Sequence, residues 1–221
     1  MTVVPKLFWV SGSPYSWRVL LALEVKRIGY ESLLLHTERG DLEDAHFRQL
    51  SPRGCVPTLE HGGFALCESL AILVYLDREF PDVPIFGSSA RDTGAICGQI
   101  FEFTDYLEPH SKGIVKAIYA GRTEVDRAEI AEHSRAVRQE LVRIEKVIGT
   151  GPWFMGDWLS AADIAIYPFL KSLFRAAAKP EAQPLDLQLL SRENHYPAID
   201  RWMKRMEGLP GYERFRVVIK P

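Results

Sequence analysis

Cysteine is scarce in this chain: only Cys55, Cys67 and Cys97 occur, an odd number with no closely spaced pair. That usage argues against a disulfide framework or a zinc site and reads as reduced thiols in the cytoplasm. The six histidines, at positions 36, 46, 61, 110, 133 and 195, show no H-x-x-x-H spacing and no cysteine cluster beside them, so no metal is expected. Long apolar runs are absent too. A stretch such as Val19-Leu20-Leu21-Ala22-Leu23 falls far short of the roughly 18 to 20 residues that span a bilayer, which excludes a membrane-spanning helix. The first six residues lack the basic start and apolar core of a secretory signal. Neither sign of charge dominates, with 27 basic and 29 acidic residues, a net charge of -2 and no block of like charge. A nucleic-acid partner is therefore not expected.

What is present is ordinary globular composition: 221 residues, 47% hydrophobic and 25% charged, enough for one large domain or two small ones. The first 80 or so residues alternate short apolar runs with helical patterns, the sign of an α/β arrangement. Lys6-Leu7-Phe8-Trp9-Val10 reads as a strand broken by Ser11-Gly12-Ser13-Pro14, and the apolar spacing from Tyr15 predicts a largely buried helix that Gly29 stops. Glu31 to His36 reads as a second strand, and Gly40 to Leu50 as a weak helix or ordered loop. Thr58-Leu59-Glu60 and Phe64-Ala65-Leu66 flank His61-Gly62-Gly63 as a hairpin. An amphipathic helix from Ser69 to Phe80 follows. Pro81-Asp82-Val83-Pro84 and Gly87-Ser88-Ser89 then break the pattern and predict a boundary between domains 1–82 and 83–221. Beyond it the chain reads as helical, at 90–119, 124–149, 160–178 and 197–207, with Ser160 and Asp163 placed as an acidic capping box.

The chemistry concentrates in the first domain. A strand, a turn bearing Ser13-Pro14-Tyr15-Ser16 and a helix reproduce the setting of a redox C-x-x-C motif with serine at both thiol positions. What remains is a hydroxyl near a helix N-terminus, which favours an anion, so a thiolate stabilised there must come from a ligand. Shifting a thiol pKa down by two units takes roughly 2.7 kcal/mol, which a donated hydroxyl hydrogen bond and the helix terminus together can supply. Ser13 acting only as a helix cap is the competing reading. A second cluster strengthens the first. Val56-Pro57 precedes a strand, where a cis bond would turn the preceding backbone N–H and C=O toward a ligand. Glu68 and Ser69 open a helix, the carboxylate suiting an amine and the hydroxyl and N–H suiting a carboxylate.

In order, Ser13-Pro-Tyr-Ser-Trp-Arg-Val-Leu-Leu-Ala-Leu, Ser51-Pro-Arg-Gly-Cys-Val-Pro-Thr-Leu and Glu68-Ser69-Leu-Ala-Ile resemble the soluble glutathione transferase family. Gly156-Asp157-Trp158-Leu159-Ser160-Ala-Ala-Asp163 is similar to that family's helix-starting motif in the second domain. The Ser-x-x-Ser-Trp-Arg turn looks most like the serine-type zeta, tau and theta-like classes and bacterial relatives. The resemblance implies a thioredoxin-like N-terminal domain, an all-α C-terminal helical domain forming the electrophile pocket, a homodimer, and glutathione as cosubstrate. It also implies site roles: Ser13 for the glutathione sulfur, the Val56 backbone before a cis Pro57 for the cysteinyl portion, and Glu68 with Ser69 for the γ-glutamyl end. Cys55 departs from the lysine or glutamine common at its position, so thiol transfer there stands against an inert thiol. Phe101, Tyr106, His110 and Tyr119 form a stripe read as core more readily than as pocket lining, and Asp105 reads as surface charge more readily than as the contact to a partner's γ-glutamyl amine that acidic residues make in some relatives. The implied activity is attack of a glutathione thiolate on a small hydrophobic electrophile. The alternatives are a zeta-like isomerase of maleyl compounds and a non-enzymatic interaction module.

Overall fold

The computed structural model describes residues 3–124, 126–210 and 212. Val125, inside the helix expected at 124–149, and the positions after Tyr212 in the second expected domain lie outside the described residues. Two compact units divide between Phe86 and Gly87, with Pro210 and Tyr212 belonging to the first.

The first unit is a thioredoxin-like layer of helices on a four-stranded mixed sheet in the order β2-β1-β3-β4. Strand β1 (Lys6–Val10) pairs parallel with β2 (Glu31–Leu35) and antiparallel with β3 (Thr58–His61), which pairs antiparallel with β4 (Phe64–Cys67). A parallel pair needs a crossover, and helix α1 (Pro14–Val25) supplies it. The β3–β4 turn is Gly62-Gly63, both at positive φ (60° and 81°), the backbone that a two-residue hairpin demands. Between β2 and β3 the weak pattern resolves into two 3-10 turns, at Thr37–Arg39 and Asp41–Glu43, and a short helix α2 (Ala45–Leu50).

Helix α1 is buried from Ser16 to Leu23 and packs on α3 (Ser69–Glu79), whose Ile72, Leu73 and Leu76 are fully enclosed. The helix ends earlier than Gly29 suggested. Ile28 N–H reaches back to Leu23 O at 2.9 Å and Arg27 N–H to Glu24 O at 3.0 Å, a Schellman closure with Arg27 in the left-handed position (φ 57°). Just beyond, the Lys26 ammonium lies 3.4 Å from Asp77 Oδ1 and donates to Val83 O, while Asp77 accepts the Ile85 N–H at 2.6 Å. These bonds hold residues 83–85 to the first unit, and they explain why the chain leaves that unit at Phe86.

The second unit is helical: α4 (Ala90–Glu102), α5 (Glu108–Tyr119), α6 (Arg127–Ile148), α7 (Ala161–Ala177), α8 (Arg192–His195) and α9 (Pro197–Glu207). The single long helix expected over 90–119 is instead two helices joined by a π turn at Phe103–Leu107. Pro109 explains it: proline has no N–H for the carbonyl of Asp105, and Glu108 N–H bonds Phe103 O five residues back. The π turn also re-phases the aromatic stripe. Phe103 enters the core, whereas Phe101, Tyr106 and Tyr119 are exposed, contrary to the core reading. The capping box at the start of α7 forms as expected, and Asp163 does more than cap. Its buried carboxylate accepts from Phe154 N, Ser160 N and Trp202 Nε1 at 3.0, 2.8 and 2.8 Å, tying α7 to α9.

Candidate functional site

The strand register brings three segments to one end of the sheet. Phe8 faces Thr58 across β1 and β3, and Thr58 faces Cys67 across β3 and β4. Because β3 is antiparallel to both neighbours, the chain leaving β1 toward Ser13, entering β3 from Val56-Pro57 and leaving β4 into Glu68-Ser69 meets at the same edge. Ser13, Val56, Pro57, Glu68 and Ser69 are thereby gathered from positions far apart in sequence.

Ser13 is the N-cap of α1, with extended backbone (φ -76°, ψ 117°) and a half-buried side chain. Its Oγ accepts the Ser16 N–H at 3.2 Å, and its carbonyl accepts the Trp17 N–H at 3.0 Å. Capping uses a lone pair and leaves the hydroxyl proton with no acceptor among the described residues. The cap and the donor roles are thus compatible in one side chain. No acidic residue occupies the first turn of α1, so nothing within the helix neutralises its positive end. Ser16 is buried, and its Oγ receives a long contact of 3.5 Å from Val10 N–H, which pins the turn to β1.

The Val56-Pro57 peptide is cis. The residue before it is clamped from both sides: the fully buried Ser51 Oγ accepts Cys55 N–H and donates to Cys55 O, each at 3.0 Å, and Thr58 Oγ1 donates to the same carbonyl at 2.8 Å. With the backbone of Cys55 satisfied in this way, Val56 stands next in line with neither N–H nor C=O bonded among the described residues. A peptide unit left unbonded in this way can pair with another main chain. Cys55 itself is exposed, its Sγ 3.6 Å from Arg53 O.

Glu68 precedes α3 in a left-handed conformation (φ 69°, ψ 107°) uncommon for a residue with a side chain. Its carboxylate does not cap the helix. It lies out in solvent, 4.0 Å from Arg53 Nη1, where a surface pair contributes little. The first turn of α3 consequently has no side-chain cap and no acid, which leaves it open to an external carboxylate.

Ser69 is buried, and its Oγ accepts from Arg18 Nη1 at 3.3 Å. Arg18 has no role in the sequence reading beyond its place in the Ser-Trp-Arg turn, yet it is only 1% exposed and lies over the Tyr15 ring at 5.4 Å. It connects α1 to the start of α3 and sets a permanent positive charge beneath that helix terminus. The signal that could have exposed it is its position: an arginine near the start of an otherwise apolar helical run from Trp17 to Leu23. Ser51 has no role in the sequence reading beyond its place in the second motif, and its burial turns it into a brace.

In the second unit Asp105 is exposed, in keeping with a surface charge, and His110 is held by a 3.0 Å contact of its Nδ1 with His133 Nδ1. Among the described residues no helix is long and apolar enough to cross a membrane, and no group of three or more His, Cys, Asp or Glu side chains could hold a metal ion.

Comparison with known proteins identifies the family and the fold. A family model described as the glutathione S-transferase N-terminal domain matches residues 7–84, and one for the C-terminal domain matches residues 106–210. Glutathione S-transferase A of Pleuronectes platessa is 28% identical over 189 residues, covering 80% of this chain and 81% of its own. Glutathione S-transferase Z2 of Arabidopsis thaliana is 24% identical, covering 87% of each chain. A probable maleylacetoacetate isomerase of Vibrio cholerae is 23% identical, covering 96% of this chain and 94% of its own. The crystal structure of a glutathione S-transferase from the Antarctic clam Laternula elliptica superposes with a TM-score of 0.82 at 23% identity, over 97% of this chain and 92% of that one, and shows the same fold. The chain belongs to the soluble glutathione S-transferase family.

Proposed function

We propose that the thioredoxin-like unit binds glutathione as a cosubstrate and that Ser13 donates its hydroxyl proton to the bound sulfur, holding it as a thiolate for attack on a small hydrophobic electrophile. The observation that carries this reading is the Ser13 hydroxyl itself: its oxygen is occupied by Ser16 N–H while its proton has no acceptor among the described residues. The tripeptide's main chain pairs with Val56 ahead of Pro57, its γ-glutamyl carboxylate meets the Ser69 hydroxyl and the open N-terminus of α3, and its amine meets Glu68. The thiolate forms the new C–S bond with its own electron pair, and the displaced group or the adjacent carbon takes the charge. The protein supplies orientation and anion stabilisation, with no metal and no nucleophile of its own.

In this reading the helical domain, 83–221, forms the electrophile pocket. The protein works in the cytoplasm as a homodimer, without nucleic-acid or membrane partners. A second reading is favoured by the names of several relatives. Besides the Vibrio cholerae protein, a probable maleylacetoacetate isomerase of Drosophila melanogaster is 27% identical over 218 residues, which makes a maleyl compound the first isomerase substrate to assay.

Calorimetry with glutathione, followed by a pH titration of its ultraviolet thiolate absorbance on the wild type and Ser13→Ala, tests the proposal. The expected result is retained binding with thiol ionisation moved up by about two pH units in the variant. Absence of glutathione binding would overturn the whole reading. Binding with unchanged ionisation would overturn the role of Ser13.

A further inference from the structure

A cavity of about 450 Å³ lies wholly within the helical unit, remote in sequence from the glutathione site. Its wall comes from Arg138 on α6, Ala177 at the end of α7, and the segment 182–196. A volume of this size is that of a small-molecule site. Two polar groups in its lining have hydrogen-bonding capacity left unused among the described residues.

The first is Arg138. Its Nη1 donates to Ser134 Oγ at 2.7 Å and to Leu187 O at 3.1 Å, which fixes the guanidinium plane. The Nε–H and Nη2–H groups bond nothing among the described residues, and Arg138 belongs to none of the ion pairs found there. That free edge is the one a carboxylate takes with two parallel hydrogen bonds. The second is Tyr196, only 6% exposed, which lines the cavity while its hydroxyl makes no hydrogen bond among the described residues. Burial raises the pKa of this phenol, with Arg138 pulling it down and Glu145 pushing it up, so the hydroxyl remains a donor at neutral pH. Ala177, Leu187 and Leu189 supply apolar lining, beside polar side chains that include Gln188, Ser191 and His195.

We propose that this cavity binds a small organic carboxylate with an apolar body, its oxygens on the Nε–Nη2 edge of Arg138 and the Tyr196 hydroxyl, its hydrocarbon against Ala177, Leu187 and Leu189. The charges nearby favour an anion over a cation. The Glu145 carboxylate accepts Ala198 and Ile199 N–H at 2.6 and 2.9 Å and is committed to the start of α9. Asp186 also lines the cavity, but it is exposed and screened, whereas the half-buried Arg138 acts through a lower dielectric. The lining backbone is also unusual. Asp186, Gln188 and Ser191 all have positive φ (46°, 54° and 55°) without being glycine. Each such residue carries backbone strain, and strain of this kind clusters at ligand sites.

The test is calorimetry with phenylbutyrate and with its neutral amide, run in saturating glutathione so that any binding at the first site is blocked. Binding of the acid with at least tenfold preference over the amide is expected. Arg138→Gln should lose tenfold or more of that affinity, and Tyr196→Phe, which removes one oxygen and leaves the packing intact, should lose a few-fold. Hydrogen exchange on the wild type should show protection by phenylbutyrate confined to α6 and 182–196. Equal affinity for acid and amide, unchanged affinity in both variants, protection elsewhere, or no binding by the wild type would each overturn the proposal. None of these readouts depends on Ser13, so the two proposals fail separately.

Discussion

The guanidinium of Arg18 reaches across from α1 to the hydroxyl of Ser69 at the start of α3, a 3.3 Å contact between two buried side chains 51 residues apart. Because arginine can only donate, Ser69 Oγ must accept, which turns the serine proton outward toward whatever sits at the helix terminus. The contact therefore prepares Ser69 as a donor before any ligand arrives. Arg18→Met should raise KM for glutathione about tenfold, the loss of one charge-supported hydrogen bond, with kcat little changed. Arg18→Lys should recover only part of that, since the fork is lost while the charge stays. Steady-state kinetics with varied glutathione separates the two parameters. A fall in kcat at constant KM would show that Arg18 does not act through Ser69.

Two residues hold left-handed backbone conformations for different reasons. Arg27 (φ 57°) only closes α1, is exposed and belongs to no ion pair among the described residues. Glu68 (φ 69°) is strained where the proposed ligand amine lies. Arg27→Gly should stabilise the protein by about 1 kcal/mol, raising Tm by about 2 to 4 °C, with glutathione affinity unchanged. Glu68→Gly should also raise Tm, because the same strain is relieved, but lower glutathione affinity by about tenfold through loss of the carboxylate. Thermal melts and calorimetry on both variants decide it. Unaltered binding in Glu68→Gly would remove Glu68 from the site.

The contrast also shows what the sequence could and could not disclose. Periodicity and turn chemistry were sufficient for β1, the Gly62-Gly63 hairpin and α3, since those elements are set by local pattern and by side chains that face one core. The end of α1 was misplaced because glycine is the commonest left-handed residue, and here the Schellman bonds fall two positions earlier, on Arg27. The π turn before Pro109 similarly shifts which aromatics on α4 and α5 face inward, a phase change no fixed helical period contains. In the candidate site, the ordered motifs singled out Ser13, Val56-Pro57 and Glu68-Ser69, which the strand register gathers at one end of the sheet. Their supports Arg18 and Ser51 remained hidden because their meaning lies in burial, and burial is decided by the tertiary packing of α1 on α3 and of the loop on β3.

Asp200, in the first turn of α9, gives the stability of the helical unit a defined pH dependence. Its buried carboxylate accepts from Lys204 Nζ at 2.7 Å and from Arg192 Nη2 at 3.3 Å. Burial on its own would raise the carboxyl pKa, but hydrogen bonds and charge from Lys204 and Arg192 outweigh it and hold the group below the usual carboxylate range. In the unfolded chain the pKa returns to about 3.9, so between the two values the unfolded state binds more protons. The stabilisation is therefore complete above the unfolded value and is lost as pH falls through the folded one. Asp200→Asn should cost roughly 1 to 2 kcal/mol at pH 7, less than a fully enclosed ion pair because Lys204 is 68% exposed. The gap between wild type and variant should narrow as pH falls below about 4, the unfolded value, and close once the folded carboxyl is protonated, measured by urea unfolding at decreasing pH. A gap that stays constant as pH falls would assign the effect of the substitution to packing and remove the ion pairs as its cause.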